Sequence, residues 1–196
     1  TNTLRKQVDI MIYFEKPGAK NTDALMAEVI KTAQAQNINK IVVASTSGRT
    51  AEYLLAKNFD VTVVTHQAGY KESGKLEISD EEIAKLTADG MQVLATTHFF
   101  AGADRSLNRK FQGIYPAELM ANTLKLMGQG FKVAVEVAIM AMDAGQINPN
   151  EEIIAVGGSG KGADTAVILV PAHSQDFFDT DIKEIICMPR GHKNDR

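Results

Sequence analysis

"KIVVASTSGRTAEYLL", residues 40–55, decides how this chain reads. Ile41-Val42-Val43-Ala44 is a continuous apolar, β-branched run, the pattern of a strand buried on both faces. It passes straight into Ser45-Thr46-Ser47-Gly48-Arg49-Thr50, and the amphipathic segment after it predicts a helix over 49–57. A buried strand, a hydroxyl-rich glycine turn and a helix make up one unit of an α/β fold.

Working outward, the same alternation recurs. "DIMIYFE" (9–15) reads as a short strand, and the Pro-Gly pair of "KPGAKNTDA" as a turn. Asn21, Thr22 or Asp23 can cap a helix over 23–36, where Leu25, Val29 and Ala33 recur at helical spacing. "DVTVVTH" (60–66) is a second buried strand, followed by a polar loop over 67–79. Ser79, Glu82 and Gly90 mark the cap, capping box and stop of a helix over 79–90. Strand "MQVLATTH" (91–98) follows, then an aperiodic stretch over 99–116. Pro116 suits the first turn of a helix running to Met127. A second, almost wholly apolar helix covers 131–144 and stops at Gly145; a helix apolar all round is one that is buried. "EEIIAVGG", "TAVILVPA" and "KEIICMPR" then read as strands, the first two joined by the glycine loop "SGKGAD".

The expectation is a three-layer α/β domain. Its sheet is mostly parallel, with helices on both faces and antiparallel strands toward the C-terminus. With 196 residues, 44% of them apolar, and no linker, repeat or low-complexity segment, one domain over 1–196 is expected. A net charge of -3 without a basic run argues against a nucleic-acid surface. A single cysteine excludes an internal disulfide and suits a reducing compartment. The apolar stretches are too short, or too charged, for a signal peptide or a span, so a cytoplasmic protein with no membrane partner is expected. The apolar helix makes homo-oligomerisation plausible, although ordinary burial explains it equally well.

In open α/β sheets ligands bind beyond the carboxyl ends of the strands. Those ends carry "EKPGAKNT", "STSGRT", "HQAGY", "HFFAGADR" and "GGSGKGAD", the most polar and glycine-rich parts of the chain. In "STSGRT", Ser45, Thr46, Ser47 and Thr50 offer hydroxyls, and Gly48 permits close backbone approach. Arg49 can add a bidentate donor, and a helix start supplies free N–H groups. One hydroxyl would serve a helix cap; four point to a phosphate. "AVGGSGKGADTAV" fails as a P-loop, having Ala155 where glycine is required and Gly162 after Lys161. It fails as a dinucleotide fingerprint too, because a strand and not a helix follows. An anion nest and a plain hairpin turn both remain open for it.

His66 and His98 end neighbouring strands and so face one rim, as acid–base or ring-stacking groups or as structural residues. His173, His192 and Cys187 read as structural. Arg105 and Arg109, four apart in the aperiodic stretch, could face one anion together or form a solvated helical turn. No cysteine–histidine spacing suggests zinc, and no nucleophile-elbow motif supports a triad.

"KIVVASTSGRTAEYLLAKNFDVTVVTH" resembles the C-terminal α/β domain of pyruvate kinase, where a loop of this kind holds the phosphate of an allosteric sugar bisphosphate. "YFEKPGAKNT", "RSLNRKFQGIYP", "GKGADTAVILVPAHSQDFFD" and "IKEIICMPR" extend the resemblance to a family of stand-alone pyruvate kinase α/β domain-like proteins, over nearly the whole chain. The resemblance implies a phosphate cradle at Ser45, Thr46, Ser47 and Thr50, bordered by Gly157 through Gly162. It also implies flavin mononucleotide (FMN) as the bound ligand. Lys16, Asn21, His66, Gly69, His98 and Gly158 are candidates for the rest of that ligand. It does not imply phosphoryl transfer from phosphoenolpyruvate, since pyruvate kinase does that chemistry in a barrel domain for which these residues have no room. An enzyme acting on a phosphorylated or flavin-linked substrate, and a regulatory module binding a sugar phosphate, are the alternatives.

Overall fold

A computed structural model describes residues 11–191. Seven strands form one sheet: β1 (Ile12–Phe14), β2 (Lys40–Ala44), β3 (Asp60–His66), β4 (Gln92–Thr96), β5 (Ile153–Gly157), β6 (Thr165–Val170) and β7 (Asp181–Pro189). Their order across the sheet is β1-β7-β6-β5-β2-β3-β4. β2 pairs in parallel with β3 and β5, as does β3 with β4 and β1 with β7. Both pairings of β6 are antiparallel, so β6 alone runs against the rest. The expected mostly parallel sheet with antiparallel C-terminal pairings is what forms.

The β-branched runs explain the layers. On β2, Ile41 and Val43 enter one core and Val42 the other; Ile154 and Val156 alternate in the same way with Ile153 and Ala155 on β5. The first core is closed by α1 (Thr22–Gln36) through Leu25, Met26 and Val29, and by α2 (Asp80–Ala88) through Leu86. The second is closed by α5 (Gln129–Asp143), which buries residues from Phe131 to Met142 on all its sides. α4 (Pro116–Leu124) packs against α5, and α3 (Gly102–Phe111) packs against α4.

Three local expectations change. The helix expected over 49–57 is only a 3-10 turn, Ala51–Leu54. Gly48 precedes it at φ +83°, and Ala56 and Asn58 follow it in the left-handed region, so a regular helix has no room to propagate. The aperiodic 99–116 stretch contains the ten-residue helix α3, which buries none of its residues and therefore shows no apolar period. The first strand is Ile12–Phe14; the beginning of the expected 9–15 strand, like His192, lies outside the described residues. Ser79 does cap α2, accepting the Glu82 N–H at 3.2 Å.

Cys187 is fully buried on β7, and burial pushes its thiol up to about 12. Native protein is expected to react with iodoacetamide at pH 8 more slowly than unfolded protein, by a factor on the order of 100 or more. Mass spectrometry of quenched samples reads this directly.

Candidate functional site

The carboxyl ends of β2, β3, β4 and β5 open onto one cleft of about 1290 Å³. Ala44 and Val64 of the sheet and Val133 and Val137 of α5 give it apolar lining. The Ser45–Thr50 loop is on one side of this lining. Ser45 Oγ accepts the Thr50 N–H at 3.2 Å, which closes the loop on itself. The 3-10 turn uses Gly48 as its acceptor, through Ala51 N–H at 2.8 Å and Glu52 N–H at 3.3 Å. The N–H groups of Thr46, Ser47, Gly48 and Arg49 donate to no acceptor among the described residues. Four successive free amides are what an anion nest requires. They come from the loop itself and not from the start of a long helix, which the sequence predicts here. Arg49 lies over the loop, donating through Nε to Ser47 Oγ at 3.2 Å.

The glycine loop after β5 forms the adjoining wall, with Gly158, Gly160, Lys161 and Gly162 on the cleft. It is a hairpin connection, closed by Asp164 N–H to Gly157 O at 3.1 Å. Its glycines answer close contacts. A Cβ on Gly158 would lie 2.0 Å from Gly162 O, and one on Gly162 2.5 Å from Thr22 Oγ1. Asp164 and Thr22, neither of them a site candidate from the sequence, bind this loop to the one after β1. The fully buried Asp164 accepts from Gly18 N–H at 2.9 Å, Ser159 N–H at 3.2 Å and Thr165 Oγ1 at 2.9 Å. Thr22 Oγ1 donates to Ala163 O at 3.2 Å and accepts Ala163 N–H at 2.9 Å.

An aromatic cluster also lines the cleft. His66 and Tyr70 stack with ring centroids 3.8 Å apart, and His98 tilts against His66 at 5.0 Å. Arg105 lies 5.7 Å from the Tyr70 centroid. His66 Nδ1 is hydrogen-bonded to Glu77, which also pairs with Lys71. Burial alone would raise the Glu77 carboxyl, but its bonds from Lys71 and His66 prevail and hold it below the ordinary range. Burial lowers His98, partly opposed by Glu136, so its ring is neutral near pH 7. Beneath these rings α5 supplies a charged pair. Glu136 is 2% exposed, accepts the Phe100 N–H at 3.0 Å and pairs with Lys132 one turn away. The only charges in the middle of an otherwise apolar helix thus line the cleft.

α3 presents Asp104, Arg105, Asn108 and Arg109 to the cleft, so the two arginines do share a wall. Seven cationic and five acidic side chains line the cleft in a chain whose net charge is -3. The acids have partners: Asp23 with the Tyr53 hydroxyl, Glu77 with Lys71 and His66, Asp104 with Ala117 N–H, Glu118 with Asn108, and Glu136 with Lys132. Arg109 and Lys161 pair with no carboxylate among the described residues. The free charge on the cleft is positive.

The model of the pyruvate kinase alpha/beta domain matches residues 23–169, which are 147 of the 196. The chain belongs to the pyruvate kinase alpha/beta domain family. The matched span runs from the first turn of α1 to the end of β6, leaving β1 and β7 outside it. Similar solved structures include a pyruvate kinase from Cryptosporidium parvum, 16% identical over 78% of this chain and 23% of that one, with a TM-score of 0.38. A Cryptosporidium parvum pyruvate kinase in complex with ADP matches at 16% identity over 79% of this chain and 24% of that one, TM-score 0.37. This family member spans about a quarter of the length of those enzymes.

Within this pyruvate kinase alpha/beta domain, the remaining sequence candidates fall away from the cleft lining. Asn21 is buried and donates from its side chain to Lys16 O at 2.8 Å, so this pair shapes the loop after β1. Gly69, at φ +82°, closes the 67–75 turn through its N–H to Lys75 O at 3.0 Å. Tyr70, Lys71, Glu77, Lys132 and Glu136 join the cleft instead. Among the described residues no cluster of His, Cys, Asp or Glu is placed to hold a metal, and no helix is long and apolar enough to cross a membrane.

Proposed function

We propose that the cleft binds a phosphorylated small molecule, with FMN as the ligand that fits its parts. The observation that carries this is the Ser45–Thr50 loop, whose four successive amides lack protein acceptors beside the hydroxyls of Thr46 and Ser47. A phosphate is the group that satisfies amides and hydroxyls together. Arg49 and Lys161, on the same lining, supply countercharge. The apolar patch of Ala44, Val64, Val133 and Val137 suits a flat aromatic ring, and His66, Tyr70 and His98 offer ring faces beside it. Family membership favours the same placement, since the resemblance implies a phosphate cradle at this loop.

Purified protein is expected to be yellow, or to turn yellow and quench flavin fluorescence when FMN is added. Colourless protein that leaves FMN fluorescence unchanged refutes the flavin. Thr46→Val removes one hydroxyl without changing shape and should weaken FMN binding by about 1.5–3 kcal/mol, roughly 10- to 100-fold. Riboflavin, which lacks the phosphate, should bind both proteins equally. An unchanged FMN affinity in Thr46→Val puts the phosphate elsewhere. Mass spectrometry of the co-purifying small molecule separates FMN from a sugar phosphate.

α5, whose composition raised homo-oligomerisation, buries most of its residues against the sheet, which accounts for its apolar character within the chain.

A further inference from the structure

The His66–Glu77 pair stands immediately beside the proposed phosphate loop. β2 and β3 pair in register up to Ala44 and Val64, and Ser45 N–H continues the ladder to Val64 O at 3.0 Å. The Thr65 hydroxyl then donates to Thr46 O at 3.1 Å, so His66 is the residue of β3 next to Thr46. Ala44, Val64 and His66 alternate onto the cleft side of the sheet, and His66 lines the cleft. A carboxylate only accepts, so Glu77 places a proton on Nδ1 and leaves Nε2 as the ring nitrogen open to a ligand. Tyr70 covers one ring face and so holds the imidazole in place.

We propose that His66 is a proton-coupled phosphate ligand: as a phosphate monoester enters the Ser45–Thr50 loop, Nε2 takes up a proton from solvent and donates it in a hydrogen bond to a phosphate oxygen, while Glu77 holds Nδ1–H. The step is a proton transfer: the Nε2–H bond forms as the buffer acid gives up that proton and keeps the electron pair, and no bond between heavy atoms changes. The charged and titratable groups around the ring leave this role open. Glu77 and Lys71 pair with each other on the 67–79 loop, and Glu136 and Lys132 pair on α5. His98 on the β4 side is kept neutral by burial, Arg105 of α3 lies beyond Tyr70, and Arg49 belongs to the phosphate loop. A dianion arriving in the loop adds uncompensated negative charge, and an imidazole can answer it near neutral pH. A phosphate monoester is mostly dianionic above about pH 7, so at pH 7.5 the incoming charge is already in place and a proton drawn in on binding is taken up by the protein.

This rests on the phosphate reading of the loop, and the test separates the two. FMN, riboflavin and inorganic phosphate are titrated calorimetrically into the full chain at pH 7.5, in two buffers of different ionisation enthalpy. FMN is expected to draw in a proton, up to about one per ligand, and riboflavin none. His66→Gln keeps a donor of similar reach but cannot titrate, and should still bind FMN with the uptake abolished. Glu77→Gln should diminish the uptake. If FMN binds in a Thr46-dependent way without proton uptake, or if His66→Gln leaves the uptake intact, the proton-coupled role is overturned and the phosphate loop stands. If uptake disappears in His98→Gln and not in His66→Gln, the wrong histidine has been assigned and the proposal fails. If neither FMN nor inorganic phosphate binds, the loop reading and the proposal fall together.

Discussion

Replacing Gly157 with alanine is expected to cost about 3 kcal/mol or more, above the middle of the usual range for overpacking. Gly157 ends β5 where the first turn of α5 crosses it. A Cβ there would lie 2.2 Å from Gly130 O and 2.6 Å from Ala134 N. Both are backbone atoms, so no side chain can swing aside and α5 itself must lift from the sheet. The opposing residue is constrained likewise, since a Cβ on Gly130 would lie 2.3 Å from Asp164 Oδ1 and from Thr165 Oγ1. For a domain of this size the melting temperature should fall by roughly 6–12 °C. Gly191→Ala, whose Cβ would meet nothing within 4 Å, is the control and should leave the melt unchanged. Equal melting temperatures for the two variants would show that α5 does not rest on β5 this closely.

Asp164→Ala should be comparably damaging, at about 3–5 kcal/mol, because it leaves the Gly18 and Ser159 amides and the Thr165 hydroxyl without their acceptor. The effect should also be spatially selective. Amide exchange should quicken first in the loop after β1 and in the glycine loop, which Asp164 and Thr22 tie together by hydrogen bonds. Under the proposed function, FMN affinity should drop as well, even though Asp164 lines no part of the cleft. Asp164→Asn, which retains one acceptor oxygen, should recover part of the loss. Exchange that quickens uniformly across the sheet would mean that Asp164 acts on the whole core and not on the rim.

Much of this architecture is legible in the order of residues, for identifiable reasons. β2, β3 and β5 are buried on both faces, so each is a run of β-branched residues that no helix pattern imitates. α2 carries its own start signal in Ser79, and α5 betrays its burial by having almost no polar side. The failures are equally specific. α3 buries nothing, so there was no period to find. The 49–57 segment resembles a helix start because a hydroxyl precedes apolar residues, but those hydroxyls close a loop and the turn ends within four residues. At the site, His66 and His98 could be placed on one rim from strand ends alone. Glu77 could not be assigned to His66 from an unpatterned loop, and Asp164 and Thr22 act on partners 146 and 141 positions away. Local sequence describes local geometry; the links between loops depend on which loops the sheet order brings together.

The pairing of β1 with β7 carries a consequence for how the molecule is made. Ile12 sits opposite Cys187, and the Arg190 N–H reaches Phe14 O at 2.8 Å, so strands from opposite ends of the described chain lie side by side. On a ribosome, β1 emerges before β7, the one strand it pairs with among the described residues. The matched α1–β6 body can assemble first, and β1 joins as the closing piece, across the longest sequence separation of any strand pair in the sheet. The loop that leaves β1 carries Gly18, which Asp164 holds. Order in the loop after β1, and so in this side of the cleft, is thereby tied to β7: a nascent chain still lacking β7 should leave β1 and that loop unpaired.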